Sequence, residues 1–155
     1  MNRFMFCAID SALKGIQKNA GGPFGACIIR GKKVIAVAHN CVLKNQDPTC
    51  HAEIQAIQIA AKKIKSFDLS DCQIYSTTEP CPMCFAAIHW ARISHIVYGT
   101  SIADVAKLGF NELAISNHTL KKMGRMKIKI KKNFARKACL QLLKEWSAMK
   151  NKRVY

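Results

Sequence analysis

Two short pieces, Cys50-His51-Ala52-Glu53 and Glu79-Pro80-Cys81-Pro82-Met83-Cys84, carry the groups around which the rest of the chain can be arranged. His51 offers an imidazole nitrogen, and Cys81 and Cys84 offer two sulfurs three residues apart. Together they are three ligands from the set that zinc prefers, which leaves a fourth tetrahedral position for water. Glu53, two residues beyond the histidine, is placed beside that water rather than as a ligand. A lone Cys-x-x-Cys would fit a redox pair or half of a structural zinc site. A closed structural site, however, needs a fourth Cys or His nearby and has no use for Glu53.

Each piece opens a predicted helix. From about His51 the pattern Ile54, Ile57, Ile59, Ala60, Ala61, Ile64 has helical spacing, with Thr49 as a candidate cap and Glu53 favoured by the helix dipole. A second helix starts at Cys81 and runs through Phe85, Ile88 and Trp90, with both sulfurs in its first turn. Residues 4–19 read as an amphipathic helix ended by Gly21-Gly22. Residues 27–30 and 34–40 form a hairpin about Gly31. Strands are predicted over 72–77 and over 93–98, the latter stopped by Gly99. Segment 100–124 reads as a short helix over 102–108 followed by a loop. The strict alternation over 126–131 reads as an edge strand with a lysine face, and 135–149 closes as an amphipathic helix. This order suits a five-stranded mixed sheet with helices on both faces, in a single domain spanning 1–155.

Composition narrows the setting. No run of about 18 apolar residues is present, so no membrane span is expected. The opening ten residues lack the basic and apolar regions of a secretion signal, which points to the cytoplasm. Of eight cysteines, two are assigned to the metal. Cys7, Cys27, Cys41, Cys50, Cys72 and Cys139 lie among apolar neighbours and read as reduced, buried thiols. The net charge of +16 is uneven: residues 121–155 carry 13 Lys and Arg against Glu145 alone. Such a stretch suits a nucleic-acid face, but few aromatic residues interleave with the lysines, which favours an ordinary solvated surface.

Water activated by zinc, with a carboxylate beside it, is suited to displacing an amine from an aromatic ring. The metal drops the pKa of bound water to about 7. Glu53 can take the water's proton, pass it to a ring nitrogen and then protonate the departing amine. Asn40, Phe24 and Trp90 are weaker candidates for holding a base, since a turn residue or a core aromatic has the same appearance. His39, His89, His95 and His118 lie in no motif. Glu79 either steadies the cysteine turn or has no role.

His-x-Glu followed by Pro-Cys-x-x-Cys is the signature of zinc nucleobase deaminases. With Gly22-Pro23-Phe24-Gly25-Ala26, Asn45-Gln46-Asp47-Pro48-Thr49 and Trp90-Ala91-Arg92, the chain resembles the cytidine/deoxycytidylate deaminase superfamily, and within it the small bacterial guanine deaminases. That resemblance implies a three-layer α/β/α cytidine-deaminase-like fold, one Zn2+ per subunit, and conversion of guanine to xanthine. It also implies substrate contacts from Phe24, Asn40, Ala52 and Trp90, with Glu53 and Glu112 as catalytic groups. The family position of Glu112 typically carries aspartate, one methylene shorter. The resemblance further implies a homodimer that exchanges C-terminal segments, about 133–155 here, with Tyr155 as a lid residue. The alternatives are a tRNA adenosine deaminase, which shares Asp-Pro-Thr-x-His-Ala-Glu, and a deaminase of cytosine or triazine-type heterocycles. A zinc-stapled nucleic-acid-binding module without activity rests on the charge alone. Against tRNA editing, Lys107-Leu108-Gly109-Phe110 stands where that branch tends to carry a Gly-Ala-rich segment.

Overall fold

A central strand buried on both faces, β3 (Cys72–Thr78), organises the computed structural model. The structure describes residues 3–155. Met1 and Asn2, part of the opening stretch examined for a secretion signal, lie outside the described residues. Strand β1 (Gly25–Arg30) pairs antiparallel with β3 and with β2 (Lys33–His39), the hairpin turning at Gly31 with φ of +57°. On the other side, β4 (His95–Thr100) and β5 (Lys129–Lys131) add in parallel. The resulting sheet has five strands in the order β2-β1-β3-β4-β5, mixed as expected.

Helices cover both faces. α1 (Arg3–Gln17) and α7 (Arg136–Ser147) pack on one side, where Met5, Ala8, Cys27, Tyr75, Val97 and Cys139 share a cluster. On the other lie α3 (Ala52–Ile64) and α4 (Pro82–Trp90), burying Ala56, Ala60, Phe85 and Ile88 against Ile28, Ile74 and Ile96. Shorter helices are α2 (Val42–Asn45), α5 (Ile102–Ala106) and α6 (Asn117–Met123). Among the described residues, no helix is long and apolar enough to cross a membrane.

The departures from expectation have physical causes. Gly99 does not stop β4, which continues to Thr100. A Cβ at Gly99 would stand 2.2 Å from the Cys139 sulfur, so this glycine lets α7 approach the sheet. The lysine-faced strand is three residues rather than six, because pairing begins only where Lys129 N–H reaches the Ser94 carbonyl. Thr49 does not cap α3. Its hydroxyl and N–H both turn back to the Asp47 carboxylate, at 2.7 and 2.8 Å, and His51 is the N-cap residue.

Candidate metal centre and substrate cleft

Helices α3 and α4 start side by side, and their starts assemble the ligand set. His51 and Cys81 are the two N-cap residues, both in extended backbone geometry, with Pro82 setting the first helical position of α4. Neither side chain caps its own helix, so both are free to face each other. His51 Nδ1 lies 3.6 Å from the Cys81 sulfur and 3.6 Å from the Cys84 sulfur. All three ligand atoms fall within 4.8 Å of one another. A nitrogen and a sulfur at about 2.1 and 2.3 Å from a tetrahedral ion would stand roughly 3.6 Å apart. The donors and their spacing therefore fit zinc. Two helix N-termini directed at one point also favour the negative charge that thiolates bring.

The three groups perturb one another's protonation. The hydrogen bond with Cys84 brings the Cys81 thiol down to about 4, against its burial and with help from His51. Cys84, bonded to Cys81 and buried beside Glu53, is pushed well above its ordinary range. Burial opposes a charge on His51, but the Cys81 sulfur and the Glu53 and Glu112 carboxylates outweigh it and its pKa rises.

Glu53 is buried in the first turn of α3, with Oε2 3.5 Å from the Cys84 sulfur and Oε1 accepting the Ser76 hydroxyl at 2.7 Å. Burial raises its pKa against the pull of His51. Ser76 was not foreseen; it lies on β3, and only its inward position on that strand could have suggested it. Glu112, on the loop between α5 and α6, lines the same cleft, its pKa raised by burial and by Cys81.

The cleft has a volume of about 280 Å³, and Phe24, Pro48, His51, Cys81, Phe110, Glu112 and Tyr155 are among its walls. Phe110, also unforeseen, meets Phe24 edge-on at 5.1 Å and Tyr155 at 5.4 Å. A larger groove of about 450 Å³ passes His89, Arg92, Arg125 and Lys127, but among the described residues it holds no ligand cluster and no pair of carboxylates. The smaller cleft is where the chemistry converges.

Asn40 directly follows β2 and is 1% exposed. Its Oδ1 accepts the Val42 N–H at 3.1 Å and the Tyr155 hydroxyl at 2.7 Å, while Nδ2 has no partner among the described residues. Tyr155 also accepts the Gly22 N–H at 3.0 Å, so the C-terminus packs on its own chain. Ala52 is buried with its methyl in the main core, which leaves its main chain as what it can offer a ligand.

Trp90 does not join the cleft. It is 78% exposed at the last position of α4, roughly 13 Å along the helix axis from Cys81 at 1.5 Å per residue, against the His89 ring. His39 bonds Ser11 and His95 bonds Ser94, while His89 and His118 are exposed, so none of the four touches the centre.

Residues 1–100 match the cytidine and deoxycytidylate deaminase zinc-binding region. Guanine deaminase of Bacillus subtilis is 41% identical over 109 residues, 70% of each chain. The tRNA-specific adenosine deaminase of Buchnera aphidicola is 35% identical over 137 residues, 88% of this chain and 86% of that one. Among solved structures, guanine deaminase from Nitrosomonas europaea superposes with a TM-score of 0.86 at 27% identity, covering 94% of this chain and 84% of that chain. Both the zinc-region match and the 41% relative meet on the pieces that hold His51, Glu53, Cys81 and Cys84, and the chain belongs to the cytidine and deoxycytidylate deaminase family.

Proposed function

We propose that this chain is a single-domain cytosolic aminohydrolase that converts guanine and water to xanthine and ammonia, with one zinc held by His51, Cys81 and Cys84. When bound there, zinc supplies the Lewis acidity that makes water nucleophilic near neutral pH. Glu53, kept buried against Ser76 and Cys84, takes the water's proton and delivers it to the ring nitrogen beside the reacting carbon. It then carries the second proton to the departing amine. Glu112 faces the same space and holds or passes a proton at the substrate's edge. Phe24 and Phe110 provide apolar walls for a planar ring.

The observation that carries the free-base reading is the pairing of Asn40 with Tyr155. With both lone-pair directions of Oδ1 taken, the buried Nδ2 is a donor without a partner among the described residues, suited to an acceptor on a base. The chain's last residue meanwhile lines the cleft, where a polynucleotide substrate would need room for its backbone. Guanine deaminases among the relatives and structural neighbours support the same substrate.

Ammonia release should be measured from zinc-loaded protein given guanine, cytosine, adenine, their nucleosides and a tRNA anticodon hairpin. Guanine turnover with untouched nucleosides is expected. Glu53→Gln should keep its zinc and lose roughly 10²–10⁴ in rate. A zinc-replete Glu53→Gln protein at the wild-type rate would overturn the assignment.

One observation favours a second reading. Residues 121–137 carry nine Lys and Arg and no acid, and tRNA-specific deaminases are among the relatives. Deamination of the hairpin alone would turn that stretch into an RNA face. A dimer is also part of the proposal: Met83 and Trp90 leave an apolar face of α4 exposed, and an exchanged tail would make the Tyr155 contacts between two copies. Sedimentation of wild type and Trp90→Ala tests this, with a monomeric wild type ending the idea.

A further inference from the structure

Glu79 and Asn117 make no contact that the proposed reaction requires, yet they are buried to 7% and 0% exposure. The Glu79 carboxylate lies between two segments that are distant along the chain. Its Oε2 faces the Ile102 N–H at 3.4 Å, and its Oε1 accepts the Asn117 N–H at 2.9 Å. Those residues open α5 and α6, where helical N–H groups have no partner within the helix. Burial, together with the same carboxylate, raises the pKa of the Tyr98 phenol. Asn117 then reaches further, its Nδ2 donating to the Pro80 carbonyl at 2.6 Å, next to the ligand Cys81.

The segment 103–116 lies between the two contacts; α5 is held besides by the Asp104–Arg136 pair and by buried Val105. Phe110 and Glu112 lie on the part of it outside α5. Around them the backbone makes few bonds: Glu112 N–H to Phe110 at 2.9 Å, Ile115 N–H to Leu113 at 2.8 Å, and Asn111 N–H to Tyr155 at 3.4 Å. The Phe110 ring, packed on Phe24, Trp146 and Tyr155, anchors the near side of Glu112, and the bonds to Glu79 hold the helix starts at the two ends of the segment.

We propose that Glu79 is a positioning residue: its two oxygens clamp both ends of the Glu112 loop, and Asn117 fastens that clamp to the cysteine turn. The place of Glu112 in the cleft is thereby set by the same turn that places Cys81. This rests on the reading of Glu112 as a group of the reaction. Both ends require an acceptor, and only a carboxylate supplies two without also presenting an N–H. An amide at the same position satisfies one end and sets a donor against the other.

Glu79→Gln tests the clamp in two independent ways. Hydrogen exchange in 103–117 should quicken by about tenfold or more, the scale of one lost bond to a charged acceptor, while β3 and β4 exchange as before. Zinc content should be unchanged. In guanine turnover kcat should fall more than KM changes, and Glu79→Gln/Glu112→Gln should be no slower than Glu112→Gln alone, because both act through one carboxylate. Unchanged exchange across 103–117, or losses that multiply in the double variant, would overturn the proposal. A Glu112→Gln protein with wild-type kcat would instead end the reading of Glu112, and the exchange result would still judge the clamp. If Glu79→Gln does not fold, Asn117→Ala keeps the backbone bond to Glu79 and removes only the link to Pro80. Exchange near 117 should then quicken with zinc retained, and a wild-type exchange pattern would refute the fastening.

Discussion

Tyr155→Phe removes one oxygen and leaves the ring in place against Phe110. That oxygen accepts the Gly22 N–H at 3.0 Å and donates to Asn40 Oδ1 at 2.7 Å. Burial pushes the phenol up to about 12, so it stays protonated and remains a donor at any working pH. In the variant the Gly22 N–H loses its partner, while Asn40 Oδ1 keeps the Val42 N–H. An unsatisfied buried donor costs roughly 1–3 kcal/mol, and the acceptor that retains a partner costs less. Taking about 2 kcal/mol, docking of the tail weakens by roughly 30-fold. The loss should be local, since beyond its ring contacts the final residue is otherwise tied by its carbonyl to the Asn111 N–H at 3.4 Å. Limited digestion from the C-terminus should therefore speed up with little change in Tm. In the guanine assay the loss should appear mainly in KM, because Asn40 loses one of the two bonds that fix its amide. Wild-type KM together with wild-type resistance to digestion would show that the hydroxyl holds neither tail nor amide.

Two further perturbations probe the frame around the site. Asp104 accepts two bonds from Arg136, at 2.6 and 2.9 Å, and caps α5 with Ser101; the Arg136 bonds, working against its burial, hold it well below the usual carboxylate range. Because its folded pKa is depressed, the stability it contributes is present above about pH 4 and is lost as pH falls through the folded value. Asp104→Asn should cost about 1 kcal/mol at pH 7, discounted for the solvent reaching Arg136. Urea melts should show that gap narrowing below about pH 4, and a gap that widens there would contradict the assignment. Gly25→Ala would put a Cβ 2.0 Å from the Ala8 carbonyl, backbone against backbone, where α1 crosses β1. A cost of about 3 kcal/mol is expected, roughly 6–12 °C in Tm for a chain of this size. A shift under about 2 °C would mean that α1 can back away from the sheet.

The fold was legible wherever one period dominated. Residues 4–16 repeat at helical spacing and became α1; 27–30 and 34–39 are apolar runs about a glycine and became the hairpin. Reading failed where a residue type has two uses. Gly99 looked like a strand end, but its small size serves the approach of Cys139 from a helix forty residues later, which no local window contains. The alternation of 126–131 correctly marked an edge, yet strand length depends on how much of β4 is left to pair with. α6 was missed because Asn-His-Thr-Leu-Lys-Lys-Met has a weak apolar stripe. Its start is fixed by the Ser116 cap and by the long-range bond to Glu79.

The site divides along the same line. His51, Glu53, Cys81 and Cys84, the proposed metal and proton-transfer groups, could be brought together from the sequence because metal chemistry restricts residue type and helix starts restrict spacing, so both constraints fit within two pieces of at most six residues. Trp90 belonged to the second piece by sequence but not by geometry: nine residues of helix carry it away from the cysteines. Ser76, Phe110 and Asn117 are the reverse case. A strand serine, a loop phenylalanine and a helix-start asparagine are common anywhere, and what makes them part of the site is a partner 23, 86 or 37 residues away. Glu79 stands between the two groups. Its place beside Pro80-Cys81 raised the question of a steadying role, but the groups that answer it, Ile102 and Asn117, are both brought in by the crossover from β3 to β4 and the chain beyond it. The proposed ligands can be read from short motifs, whereas the loop that carries Glu112 is tied at both ends by the distant Glu79 carboxylate. A second sequence of this family could therefore keep every ligand and still place Glu112 differently if its residue at position 79 lacked two acceptor oxygens.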